Sequence, residues 1–248
     1  HLSAANCPVP RTIRDCDGAA YRMVDGKAVA LIEFLPGLSP STPTEAQARS
    51  VGAALGQMHR AAQDYPGTRN STLEPQDTLE ILDQCGTDAL AGIDPALPDI
   101  LPIGARIVAD WPEHLPGSII HSDLFPDNVL MLGDEVTGMI DFYFAATGAM
   151  AYDLAVTHAA WCFDDTGEAC DPALGAALIA GYESLRPLSD GERAALPLLA
   201  QGACLRFIAS RAQDWLDTPD DALVHRKDPM DFVRRWHTYR ALGQEAFA

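Results

Sequence analysis

Residues 119–142, IIHSDLFPDNVLMLGDEVTGMIDF, leave the chain little conformational choice. Ser118-Ile119-Ile120 is an apolar run too short for a helix, and 129–132 (VLML) and 136–140 (VTGMI) are two more. The last two are separated by the turn pair Gly133-Asp134. Between the first two runs lies a polar loop stiffened by Pro126, which pre-sets its own φ and restricts Phe125. The stretch is therefore predicted as strand, loop, strand, turn, strand. Its closing hairpin, Val129 to Ile140, reverses the chain and brings Asp141 back beside Asn128.

From Ala149 onward the periodicity is helical, over 149–162, 172–185, 189–215 and 229–243. Asp171-Pro172 reads as an N-cap followed by a first helical residue, and Ser189 with Glu192 as a capping box. Upstream, AAYRMV (19–24) and AVALIEF (28–34) flank Asp25-Gly26-Lys27, a hairpin signal, and Leu35-Pro36-Gly37 breaks the second strand. Thr44 to Ala62 carries Ala46, Val51, Ala54, Leu55, Met58 and Ala61 at helical spacing, with Thr44 as cap. Residues 65–75 read as loop, with helices near 76–85 and 95–111. The expected fold class is α+β: a small β hairpin in 1–34, then a mostly helical lobe in 35–248 with the loop of 119–142 on short strands.

Composition bounds the function. There are 17 basic and 35 acidic side chains, a formal net charge of −18. Such a surface repels phosphate backbones, which argues against nucleic acid as a partner. An acidic protein that handles a nucleotide must supply local positive charge from Mg²⁺ or from a few placed basic residues. No apolar run approaches the length of a membrane span, and the first residues lack the pattern of a signal peptide. Six scattered cysteines without a C-x-x-C pair read as reduced thiols, which points to the cytoplasm. Oligomeric state is left open.

His121, Asp123 and Asn128 stand in the order H-x-D-x-x-x-x-N, and Asp141 follows at the end of an apolar run. Kinase-type phosphoryl transfer requires that order. One aspartate, Asp123, accepts the proton of the attacking hydroxyl, Asn128 and Asp141 hold Mg²⁺, and His121 braces the loop. Mg²⁺ suits a site with few protein ligands, because phosphate oxygens complete its octahedron. Each residue alone has a plainer reading, as a turn aspartate or a half-buried histidine. A metal-dependent hydrolase using His121, Asp123 and Asp141 is a second reading of the set, but it wants more histidines, and His158 is the only later one close in sequence. Asp127 reads as a solvated turn residue, Asp153 as a cap or electrostatic brace, and His59 as a helix-face residue. Trp161 and Phe163 read as core.

These residues resemble the aminoglycoside-phosphotransferase-like branch of the protein-kinase-like superfamily. The likeness rests on IIHSDLFPDNVL, the strand ending MIDF, the hinge-like LIEFLPG at 31–37 and the LGQMH helix ending at His59. Within that branch the chain looks like the bacterial homoserine kinases of the second type. The narrower likeness rests on HSDLFPDN, IDFYFA, AYDLAVTHAAWCF, LRFIASRAQDW at 205–215 and KDP at 227–229. It implies a protein-kinase-like fold, ATP and Mg²⁺ as cofactors, and L-homoserine as the small-molecule substrate, phosphorylated on its side-chain hydroxyl in threonine biosynthesis. It also implies that backbone groups around Glu33, Phe34 and Leu35 meet the adenine. A zwitterionic substrate needs a cation for its carboxylate, and Arg206 and Arg211, five apart on a predicted helix, are candidates, with a salt bridge the equal alternative.

The same likeness leaves other acceptors open, such as an aminoglycoside, choline or methylthioribose, and also a non-catalytic kinase-like binding module. Tyr143 stands where many kinases carry glycine, although the narrower family carries tyrosine there. The family's glycine-rich loop and ATP-phosphate lysine have no counterpart before Leu31, and Lys27, in the hairpin turn, is a poor substitute. The expectation from sequence is that most of the N-terminal β lobe is missing, and that this piece turns over homoserine far more slowly than a complete protein.

Overall fold

The fold was analysed in a computed structural model, which describes residues 1–219, 221–223 and 226–248. The hairpin at 25–27 forms as expected: β2 (Arg22–Val24) pairs antiparallel with β3 (Lys27–Val29). Asp25 and Gly26 both take positive φ, 49° and 77°, the geometry of a tight turn whose twist matches its strands. The second predicted strand is interrupted. Its continuation, β4 (Leu31–Ile32), leaves β2 and pairs instead with β1 (Thr12–Ile13). A two-residue strand is too short to show a period, so β1 carried no signal in the sequence.

Helix α1 (Glu45–Ala61) begins at Thr44 with a reciprocal capping box: Gln47 N–H donates to Thr44 Oγ1 at 3.2 Å, and Thr44 N–H to Gln47 Oε1 at 3.1 Å. Then follow α2 (Pro75–Cys85), α3 (Thr87–Ile93) and α4 (Ile100–Ala109). The single helix expected over 95–111 starts later than predicted. Pro95 drives Asp94 extended (φ −152°, ψ 135°), which ends α3, and a 3-10 turn at Leu97–Asp99 leads into α4.

Four strands frame the loop of interest. β6 (Val129–Leu132) and β7 (Glu135–Met139) form the predicted hairpin, with a bulge at Leu130/Met131. β5 (Gly117–Ile120) pairs antiparallel with β8 (Ala146–Ala149), a strand whose sequence ATGA gave no pattern to read. The rest is helical: α5 (Met150–Trp161), α6 (Pro172–Leu185), α7 (Asp190–Asp217) and α8 (Met230–Leu242). These match the expected spans to within two residues. The architecture is α+β, with a helical lobe that carries the core.

α5 is buried on nearly every side, which accounts for its almost unbroken apolar sequence. α1 lies so close to α6 that glycine is obligatory at the crossing. A Cβ on Gly52 would stand 2.0 Å from the Leu178 carbonyl oxygen, and one on Gly181 would stand 2.0 Å from that of Arg49. Among the described residues, no helix is long and apolar enough to cross a membrane.

Candidate active site

The loop between β5 and β6 is held from beneath by one carboxylate. Asp153, in the first turn of α5 and fully buried, accepts the backbone N–H of His121 at Oδ2 and that of Ser122 at Oδ1, both at 2.6 Å. His59 Nε2, from α1, lies 3.0 Å from Asp153 Oδ2, and His59 Nδ1 is 2.8 Å from the Tyr182 hydroxyl of α6. Burial alone would raise the Asp153 carboxyl, but the hydrogen bonds and positive potential of His59 and His121 outweigh it, and the net direction is down. Asp153 is thus a brace, as one of its two sequence readings held. His59 is more than a helix-face residue: it links α1, α5 and α6 from inside the core. The signal available was a lone aspartate in a run, AYDLAV, otherwise free of charge.

Ser122, above Asp153, sits at φ 70°, in the left-handed region that serine seldom adopts. His121 joins the two limbs of the site. Its Nε2 donates to the Ile140 carbonyl at 2.9 Å, and the Asp123 N–H points at its Nδ1 at 3.3 Å. The bracing role read for His121 in the sequence is the one its contacts describe. Trp161, at the end of α5, donates from its indole nitrogen to the Leu124 carbonyl at 2.9 Å. It is core, as expected, but it also anchors the loop.

Asn128 and Asp141 come together as the hairpin argument required: Ile140 N–H donates to the Asn128 carbonyl at 3.0 Å. Asn128 Nδ2 donates to the Asp123 carbonyl at 2.8 Å and stands 3.3 Å from Asp123 Oδ2. With its NH₂ so committed, the amide presents Oδ1 elsewhere as a free oxygen donor. Asp141 is exposed, at φ 61°, and its carboxylate accepts no hydrogen bond among the described residues. Asp127, between Pro126 and Asn128, is exposed, as its reading as a solvated turn residue held.

Asp123, Asn128 and Asp141 open into one cavity of about 500 Å³, also lined by Phe144, Arg206 and Arg211. Both arginines predicted for the site therefore reach it, each already engaged. Arg206 donates to the Ser122 carbonyl, and its Nη2 lies 3.6 Å from Asp123 Oδ1. Arg211 Nη1 donates to Asp231 Oδ2 at 2.9 Å and to the Asp228 carbonyl at 2.8 Å. Burial pushes the Asp123 carboxyl up from its ordinary value, against the pull of Arg206 and His121.

The hinge residues fall outside this cavity. Glu33 is clasped by Arg11 through two contacts of 2.9 Å, Phe34 stands almost fully exposed, and Leu35 packs against Gly138 of β7. The segment then joins β6, with Leu38 and Met131 exchanging backbone hydrogen bonds of 3.0 Å. Lys27, on exposed β3, does not line the cavity either.

The site thus holds a carboxylate over a buried brace, with an amide and a second carboxylate meeting it across a hairpin and a helical lobe behind them. Residues 1–188 match the phosphotransferase enzyme family, and the chain belongs to it. Solved structures agree on the fold. An amicoumacin kinase in complex with AMP-PNP, Ca²⁺ and Ami superposes with a TM-score of 0.71, at 15% identity over 98% of this chain and 74% of that one. A spectinomycin phosphotransferase with ADP and spectinomycin gives 0.69, at 14% identity over 99% and 80%. Closer in sequence are homoserine kinases. The chain is 45% identical to that of Granulibacter bethesdensis over 95% of its own length and 73% of the relative's. It is 43% identical to that of Acidiphilium cryptum over 99% and 77%. Within the phosphotransferases it belongs with the homoserine kinases.

Proposed function

We propose that the protein transfers the γ-phosphoryl group of ATP to the side-chain hydroxyl of L-homoserine, with Asp123 as the base. The observation that carries this is the joint opening of Asp123, Asn128 and Asp141 into one cavity, in a chain whose relatives at 43–45% identity are homoserine kinases. Asp123 takes the proton of the acceptor hydroxyl as its oxygen bonds to the γ-phosphorus. The bond from that phosphorus to the β–γ bridging oxygen breaks, and its electron pair leaves with ADP. The raised Asp123 carboxyl is suited to receiving a proton.

The donor set fits Mg²⁺. Asn128 Oδ1 and the Asp141 carboxylate, neither hydrogen-bonded among the described residues, are hard oxygen donors. Two protein ligands completed by phosphate oxygens is the arrangement Mg²⁺ favours. When bound, the ion would neutralise charge developing on the transferring phosphoryl group. His121 holds Asp123 and the Asp141 limb in register. Backbone groups around Glu33, Phe34 and Leu35 are assigned to the adenine, with 1–34 on the nucleotide side and 35–248 as the catalytic lobe. The acceptor's carboxylate is assigned to the cationic wall of the cavity, with Arg211 as its ligand.

ATP turnover by the gene product with a panel of alcohols tests this reading, with Asp123→Ala as control. Turnover with homoserine, abolished in the control, supports it. Turnover with an aminoglycoside or choline in place of homoserine would overturn the acceptor.

A further inference from the structure

Arg206 is the most deeply buried cation at the site. It stands in the middle of α7 with 2% of its surface exposed. Its guanidinium carbon lies 5.1 Å from the centre of the Phe144 ring and 4.7 Å from that of Phe207. One edge donates to the Ser122 carbonyl and faces Asp123 Oδ1 at 3.6 Å. Nε is buried with no hydrogen-bond partner among the described residues. Taking a guanidinium out of water is costly, and apolar side chains of similar volume often do as well or better where only packing is needed. An orphaned donor adds to that cost. A residue that merely filled space here would be better apolar, and one that captured a ligand's carboxylate would keep its donors turned to the open cavity.

The contacts point to a different task. The Ser122 backbone is strained at φ 70° and is gripped from both sides: Asp153 takes its N–H, and Arg206 takes its carbonyl. That carbonyl belongs to the peptide unit leading into Asp123, whose own N–H is held by His121. The charged groups facing the Asp123 carboxyl are Arg206 from α7, His121 from its own loop, and Asp127 and Asp141 around the cavity. Among the described residues lining the cavity, Arg206 is thus the cation that aromatic faces hold and aim at both the backbone and the side chain of the base.

We propose that Arg206 is a positioning residue, which fixes the peptide and carboxylate of Asp123 in the orientation for proton transfer and does not bind the acceptor. The acceptor's carboxylate then falls to the other cations lining the cavity, Arg211 and Lys227. This role rests on the assignment of Asp123 as base.

The test is steady-state kinetics of the gene product with ATP and homoserine for Arg206→Lys, Phe144→Leu, and Arg206→Lys combined with Asp123→Ala. A base displaced by about 1 Å loses roughly 100-fold in rate, so Arg206→Lys lowers kcat by about that factor and leaves both KM values within about twofold. Phe144→Leu removes one ring face at a partly exposed position and lowers kcat about fivefold with unchanged KM values. In the Asp123→Ala background, Arg206→Lys has no further effect. A homoserine KM raised tenfold or more at unchanged kcat would make Arg206 a substrate ligand and overturn the role, as would multiplying effects in the double variant. Should Arg206→Lys fail to fold, an unaltered kcat in Phe144→Leu overturns it alone. Wild-type turnover separates the two readings. No turnover sinks the assigned reaction and this role with it, whereas normal wild-type turnover with unaffected variants sinks the role only.

Discussion

Asp141 and Asp153, one after β7 and one in α5, show how two carboxylates around one loop take opposite tasks from their surroundings. Asp141 is exposed and accepts no hydrogen bond among the described residues, so its charge is available to an ion. Replacing it with asparagine keeps the volume and removes the charge. The expected result is a loss of roughly 100-fold or more in kcat and a higher Mg²⁺ requirement, read by titrating the ion at saturating substrates. Asp153 is fully buried, with every oxygen committed to His59, His121 or Ser122. Asp153→Asn weakens three charge-assisted contacts at once and is expected to destabilise the fold by about 3 kcal/mol, measured by denaturant unfolding. Both aspartates were visible in the sequence, Asp141 with the single reading of metal ligand and Asp153 with two, cap or electrostatic brace. The order H-x-D-x-x-x-x-N with a later aspartate encodes chemistry locally, whereas the choice between cap and brace is made only when α5 is laid beneath the loop.

Among elements, the helices were the most legible and the short strands the least. α1, α6 and α7 carry caps and long periodic faces, and Thr44, Asp171 and Ser189 cap where the sequence placed them. β1 and β8 were missed because two residues, or the run ATGA, hold no hydrophobic alternation; pairing alone makes them strands. The α1–α6 crossing was also silent, since a glycine in a helix reads as a weak position until its neighbour is known. With the Leu178 carbonyl 2.0 Å from a Cβ there, Gly52→Ala forces the helices apart and is expected to cost about 3 kcal/mol, measured by chemical unfolding. The packing of α5 on α8 adds a pH dependence. His158 is fully buried with Nδ1 2.7 Å from the Tyr239 hydroxyl, and Nε2 makes no hydrogen bond among the described residues. Desolvation lowers its pKa to about 4, against a weaker opposing pull from the Ala246 carbonyl. The unfolded chain takes up this proton near pH 6.5 and the folded one only near 4, so the stability His158 contributes is complete above 6.5 and is lost as pH falls toward 4. The loss is about 3 kcal/mol. Unfolding midpoints between pH 7 and pH 4 should fall less steeply in His158→Leu than in the wild type.

For the molecule as a whole, a net charge of −18 stands against a cavity with few basic residues, Arg206, Arg211 and Lys227. Net charge alone would suit a cationic acceptor, and the acceptor reading comes instead from the family and from cations within the cavity. The chain's two lysines, Lys27 and Lys227, lie on exposed β3 and at the cavity, and Lys27 is not placed with Asp123. Motif and helices thus carried the helical lobe and the proposed base into the sequence reading, while the supporting contacts of Asp153, His59, Trp161 and Arg206 depend on tertiary packing that spacing does not encode. Under the proposed mechanism, Asp123 deprotonates the hydroxyl of homoserine for attack on ATP. The most direct measurement is the rate of ADP release with homoserine, and with no other alcohol of the panel, in the gene product and in Asp123→Ala. Homoserine-dependent ADP release is expected to fall by about 100-fold or more in Asp123→Ala while ATP binding is retained. Equal rates in the two proteins would contradict it.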